Sequence, residues 1–174
     1  AYAVWVGVGG SPDSVVRAGV RGLPVALAII GGEPARFAPL TDLYRHALRQ
    51  TGFDPATVPL AVHAHGFVAP TEEEAVATFY GPYAHAMSVI GEERGWGPMS
   101  RESFDAMRGP QGSLVLGNPE QVAEKIVAIR TALGIDRFML HLSVGTLPHA
   151  DVLRSIELLG TEVAALVGQA LATG

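Results

Sequence analysis

The sequence predicts an α/β fold built on a parallel sheet, and three observations predict it. Four apolar runs of strand length are spread along the chain, most lacking the polar alternation of a half-buried strand. Helical patterns fill the intervals between them, so the chain reads as successive βα units. The first two runs close on glycine pairs, the usual punctuation of a strand passing into a turn. Four such strands make a small open sheet or half of an eight-stranded barrel. In either, ligands sit at the C-terminal ends of the strands. The chain opens directly on the apolar "AYAVWVGV", which points to a piece of a longer protein and so to the half-barrel.

The first strand is expected over Ala3 to Val8, buried on both faces. Ser11-Pro12-Asp13-Ser14 then reads as an N-cap, a proline at the first helical position and a first turn. This short helix ends near Gly22. Pro24 to Ile30 is the second strand, closed by Gly31-Gly32. A helix follows from about Pro34 to Gln50, with Phe37, Leu40, Leu43, Tyr44, Ala47 and Leu48 on one face. Leu60 to Val68, "LAVHAHGFV", is the third strand.

Thr71-Glu72-Glu73-Glu74 reads as a capping box opening a helix to about Arg94, interrupted at Gly81-Pro82. A short helix is expected from Arg101 to Met107. Asn118-Pro119-Glu120-Gln121 caps the next helix, whose buried stripe is Val122, Ile126, Ile129 and Leu133. "DRFMLHLSVG" is the fourth strand. The last helical stretch runs from about Pro148 to Leu171, with a break at Gly160. Roughly 70 residues separate the third strand from the fourth, so an insertion lies within Gly66 to Gly117.

Composition narrows the class. With 174 residues and 48 % hydrophobic content, residues 1–174 form one domain with a substantial core. Only 17 % of residues are charged, the net charge is −5 and no long basic stretch exists. Neither nucleic acid nor a membrane surface is expected as a partner. No apolar run reaches the roughly 18 residues of a membrane span, and no basic n-region marks a signal peptide. The absence of cysteine excludes disulfides and thiolate chemistry. These features together fit a cytoplasmic protein.

The turn Gly9-Gly10-Ser11-Pro12 is the first candidate site. A helix N-terminus presents free N–H groups and partial positive charge, and glycines let an anion approach closely. Ser11 and Ser14 add hydroxyls. The stretch is neither G-x-G-x-x-G nor a Walker loop, Asp13 opposes an anion, and an ordinary capped βα turn has the same residues. Gly31-Gly32 closes the second strand similarly, so the two pairs can form one backbone-lined anion site or be ordinary βα turns.

His63 and His65 alternate on the third strand and share a face. Such a pair can bind one metal, as in the His-x-His of metal-dependent hydrolase barrels, or line a pocket as hydrogen-bonding groups. His141 and Ser143 share a face of the fourth strand. Trp96, in the Gly-rich insertion, is a candidate for the substrate mouth.

Taken together, "VWVGVGGSPDSVVRAGVRGLPVALAIIGG", "FAPLTDLYRHAL", "VHAHGFVAPTEEEA", "GNPEQVAEKI" and "HLSVGTLPHADVLRSIELLGTEVAALV" resemble the bacterial-luciferase-like flavin-dependent oxidoreductases. The closing "PHADVLRSIELLGTEV" is the most specific stretch. The resemblance spans the whole chain but only the C-terminal half of the family's pattern. It implies a (β/α)8 TIM-type barrel of which this chain supplies strands five to eight. It also implies FMN, or the deazaflavin F420, at the C-terminal mouth, with reduced flavin and oxygen acting on an organic substrate. F420 members instead transfer a hydride.

Carried over by position, Gly9, Gly10 and Ser11, with Ser14 less closely, match the turn that grips the flavin phosphate. Gly31 and Gly32 match the loop flanking it. "IIGGEP" offers no basic residue nearer than Arg36, which favours FMN over F420. The resemblance leaves His63, His65, His141 and Trp96 as substrate-pocket candidates and assigns no catalytic residue and no metal.

A flavin reductase is an expected partner. An isolated half-barrel exposes two sheet edges, so association with a second copy or with the missing N-terminal half is expected. The competing readings are a metal-dependent barrel hydrolase using His63 and His65, and a non-catalytic, self-associating fragment.

Overall fold

A computed structural model describes residues 4–173. Its five strands are β1 (Val6–Val8), β2 (Val25–Ile29), β3 (Leu60–Val68), β4 (Val115–Gly117) and β5 (Arg137–His141). All pair in parallel, in the order β1-β2-β3, with β3 then pairing both β4 and β5. The first half of β3 pairs with β2 and β5, and its last residues, Gly66 to Val68, pair with β4. Ser113 Oγ lies 3.3 Å from the Ile30 carbonyl, so β4 takes up the sheet where β2 stops. The α/β, parallel-sheet expectation holds. Ala3 of the expected first strand lies outside the described residues.

Helices α1 (Pro12–Val20), α2 (Ala38–Gln50) and α5 (Pro119–Leu133) pack on one face of the sheet. A 3-10 turn (Pro34–Phe37) leads into α2. Val15 and Ala18 of α1, Tyr44 and Leu48 of α2, and Val122, Ile126, Ile129 and Leu133 of α5 meet Val25, Leu27, Ile29, Leu60, Val62 and Ala64 of the sheet. Gly19 is where α1 and α2 touch: a Cβ there would collide with Ala47 Cβ at 2.7 Å. The caps form as the residues dictate. Ser11, Thr71, Ser100 and Asn118 each accept an N–H of their own first turn, and at Asn118 the reciprocal bond from Gln121 completes the box.

Several expectations are corrected. The first strand is not covered on both faces, and the second is like it. Burial alternates along β1 and β2, because helices cover one face and no layer among the described residues covers the other. A fifth strand, β4, lies inside the expected insertion. Helix α3 (Glu72–Arg94) runs on through Pro82, because Phe79 and Tyr83 on either side of it are fully buried and hold the backbone in place. At Gly160 the chain does not break. A π turn (Leu159–Val163) joins α6 (His149–Leu158) to α7 (Ala164–Thr173).

Helix α3 and α4 (Arg101–Arg108) build a second cluster at the C-terminal end of β3, with Phe67, Phe79, Tyr83, Phe104, Leu114 and Leu116 at its centre. Lys125 of α5 ties this unit to the first. Its ammonium donates to the carbonyls of Arg108, Gly109 and Leu114 at 2.7–3.2 Å. The helical run His149–Thr173 is long and apolar enough, by length and composition, to cross a membrane. The sequence expectation missed this because it counted only uninterrupted apolar residues. Leu153, Ile156 and Leu171 on that run are exposed.

Candidate active site

Parallel strands bring their C-terminal ends to one side, and the candidate residues gather there. Gly9, Gly10 and Ser11 follow β1, and Gly31 and Gly32 follow the adjacent β2. Gly10 has φ +117° and Gly32 φ +79°, conformations that favour glycine. A Cβ placed at Gly9, Gly10, Gly31 or Gly32 would meet nothing within 4 Å, so both turns open onto free space. The Ser11 side chain caps α1 by accepting from Ser14 N at 3.4 Å.

The sequence reading missed one contributor to this turn. Arg17, one helical turn beyond Ser14, donates from Nη2 to Ser14 Oγ at 2.9 Å. That guanidinium stands beside the N-terminal turn of α1. The i, i+3 spacing of Ser14 and Arg17 on a helix was the available signal.

The three sheet histidines also come together. The register pairs His65 with His141 across β3 and β5, and His63 lies one row back on the same face. Ring centroids are 5.1 Å apart for His65–His141, 5.3 Å for His63–His141 and 6.2 Å for His63–His65. The row holds level with the end of β2, whose Ile29 pairs with Ala64, so the cluster sits near the glycine turns in height along the sheet.

Burial, then the nearby His141 and His63, push His65 down to about 4. Burial and His141 lower His63 as well. At neutral pH His65 is therefore an uncharged imidazole, both donor and acceptor.

Tyr83 of α3 reaches this cluster, its ring 5.7 Å from that of His65 in an edge-to-face arrangement. Its fully buried hydroxyl and His65 Nδ1 have no hydrogen-bond partner among the described residues. An unpaired buried polar atom costs about 1–3 kcal/mol, so two in adjoining rings mark a place set aside from pure packing.

Trp96 is not brought to the histidines. It lies beyond the end of α3, 52 % exposed, with the Arg94 guanidinium 5.9 Å from its ring centroid. No group of three or more His, Asp or Glu among the described residues is placed to hold a metal ion. The hydrolase reading of His63 and His65 is therefore not favoured.

The family model described as luciferase-like monooxygenase matches residues 3–137, and the chain belongs to that family. Solved structures share its fold. Monooxygenase RslO1 from Streptomyces bottropensis is similar at 20 % identity and TM-score 0.71, over 92 % of this chain and 47 % of that one. The oxygenating constituent of 3,6-diketocamphane monooxygenase from Pseudomonas putida, in complex with FMN, is similar at 23 % and 0.69, over 93 % and 48 %. The coenzyme F420-dependent tetrahydromethanopterin reductase from Methanopyrus kandleri is similar at 18 % and 0.63, over 92 % and 50 %. The chain thus spans about half the length of the solved structures it matches. No curated protein matches it.

Proposed function

We propose that the chain is the C-terminal half of a flavin-dependent oxidoreductase, an FMN-dependent monooxygenase acting on an organic substrate with oxygen. In this reading β1, β2, β3 and β5 are strands five to eight of a (β/α)8 barrel, and the uncovered sheet face is part of its interior. The observation that carries the reading is the pair of open glycine turns at the C-terminal ends of adjacent parallel strands, one of them the N-terminus of α1. The residues fit a flavin phosphate. Gly9, Gly10, Ser11, Ser14, Gly31 and Gly32 would hold it through backbone N–H groups and hydroxyls, with Arg17 supplying positive charge.

Gly7, Ala26 and Ala28 on the uncovered face leave room beside the turns. When bound, the flavin supplies the redox chemistry. The chain's own residues bind its phosphate, and His63, His65 and His141 line the side where substrate would lie. The similarity to both FMN and F420 enzymes supports a flavin or deazaflavin. The absence of a basic residue in "IIGGEP" favours FMN.

The remaining half of the barrel, or a second copy, would cover the free edges of β1 and β5 and the exposed Leu153 and Ile156. Residues 1–174 are then one unit of a larger cytoplasmic protein served by a flavin reductase.

The test is flavin titration of the full-length protein, followed by fluorescence quenching, against Gly9→Asp with Gly9→Ala as control. Gly9 is preferred to Gly10 because its φ is not positive. Wild type and Gly9→Ala should bind FMN, and Gly9→Asp at least about tenfold more weakly, because a carboxylate repels the phosphate. Tight binding of F420 alone would move the assignment to hydride transfer. Binding of neither would leave the reading without support. Sedimentation of the isolated chain as a stable monomer would remove the oligomer expectation.

A further inference from the structure

Ser113, two residues before β4, is 1 % exposed, and its hydroxyl donates to the Ile30 carbonyl at 3.3 Å. That carbonyl shares one peptide group with the Gly31 N–H. A trans peptide is planar, so its C=O and N–H point in opposite directions. The bond therefore turns the Gly31 N–H away from buried Ser113. Gly31 is exposed, a Cβ on it would meet nothing within 4 Å, and among the described residues its N–H has no acceptor. Nothing local holds this peptide in place, because it lies past the end of β2 and Gly31 has no Cβ to restrict its rotation.

Ser113, by contrast, is held on both sides. The Leu114 N–H donates to the Met107 carbonyl, and the Gly112 N–H to the Gly109 carbonyl, each at 3.0 Å. A Cβ on Gly112 would run into the Met107 carbonyl, so the loop presses directly on the end of α4. Lys125 of α5 closes the loop from its other side through the carbonyls of Arg108, Gly109 and Leu114. An ammonium has three N–H donors, and these carbonyls match them in number. The hydroxyl that reaches Ile30 thus stands on a rigid base.

We propose that Ser113 is a positioning residue of the anion site, locking the Ile30–Gly31 peptide so that the Gly31 N–H is presented to a phosphate held between the two glycine turns. This rests on the reading of those turns as a phosphate site. Ser113 acts through Gly31 and touches no phosphate itself. The bond also strengthens the donor, since a peptide whose carbonyl accepts is polarised along its length.

The test compares the full-length protein with Ser113→Ala. FMN and riboflavin, which lacks the phosphate, are titrated separately by fluorescence quenching. Inorganic phosphate is titrated against the Gly31 amide in 1H–15N spectra of 15N-glycine-labelled protein. Wild type should bind FMN more tightly than riboflavin, and phosphate should move its Gly31 amide. Ser113→Ala should weaken FMN about threefold, the scale of one neutral hydrogen bond, leave riboflavin unchanged and shrink the Gly31 response. Ser113→Cys keeps a side chain of similar shape but donates weakly, and it gives the same reading should Ser113→Ala misfold.

The proposal fails if phosphate leaves the wild-type Gly31 amide unmoved, or if the variant leaves FMN affinity and the Gly31 response unchanged. Equal weakening of FMN and riboflavin also overturns it, since that marks a merely structural role. Wild type binding neither FMN nor F420 would count against the proposed function. The phosphate response of Gly31, with and without the Ser113 hydroxyl, would then decide this inference alone.

Discussion

On the helix-covered face of the sheet stand Val25, Leu27, Ile29, Leu60, Val62 and Ala64, all buried. The positions between and beside them, on the opposite face, are Gly7, Ala26, Ala28, Ala61, His63, His65, Met139 and His141. A face made only for stability would carry the same branched aliphatics as the first. A face made for water would carry lysine and glutamate. Beside Met139 and Arg137, this one carries small residues and imidazoles, which suits a surface that receives a flat or polar guest. The contrast separates residues that hold the fold together from residues that leave room.

Adjacent positions test that contrast most directly. Leu27→Ala on the covered face should destabilise the protein by about 3 kcal/mol, since a fully buried leucine leaves a cavity that the helices cannot fill. Urea denaturation measures it, and a loss below about 1 kcal/mol would show that the covered face is not the core it looks to be.

Next in size is the pH response of the histidine cluster. The folded pKa of His65 is about 4 against an ordinary 6.5, so between these values the folded state binds fewer protons than the unfolded chain. Stability should therefore fall as pH drops from 6.5 towards 4, by at most about 1.4 kcal/mol per pH unit from this residue. His65→Gln should flatten the slope in denaturation series across that range. An unchanged slope would mean that His65 is solvated rather than enclosed.

Asn118→Ala sharpens the comparison from outside it. It removes the complete cap of α5 without touching either face and should cost about 1 kcal/mol, with flavin binding intact.

Smallest in stability is Ala28→Leu, on the open face one residue from Leu27. The added side chain points away from the helices, and the change in unfolding free energy should stay below about 0.5 kcal/mol. Flavin binding by the full-length protein should nevertheless fall sharply. Equal losses of stability at positions 27 and 28 would erase the distinction between the faces.

Much of this was legible along the chain. Apolar runs gave four of the five strands, and cap residues located the starts of α1, α3 and α5, because both signals are local. Strand β4 was not legible: three residues carry no periodicity, and their pairing with Gly66 to Val68 is decided by the packing of α3 and α4. Pro82 reads as a break in any sequence, yet the buried rings of Phe79 and Tyr83 outweigh its missing N–H.

The shared face of His63 and His65 follows from strand parity alone, whereas His141 joins them only through the β3–β5 register. The contact of Tyr83 with His65 depends on how α3 is rotated, which its sequence does not reveal. Arg17 joins the turn from the helix rather than the loop, through its i, i+3 spacing from Ser14.

Among the described strands β3 pairs with the most neighbours, β2, β4 and β5, and Ser155 of α6 accepts the Val68 N–H besides. In hydrogen-exchange terms its amides belong to the slowest class, while β1 and β5 at the margins open first. Two of the three histidines and the wall that Tyr83 leans on thus ride on the last part of the sheet to loosen. Fluctuations that fray the rim, or let a partner dock against it, would pass without disturbing their alignment.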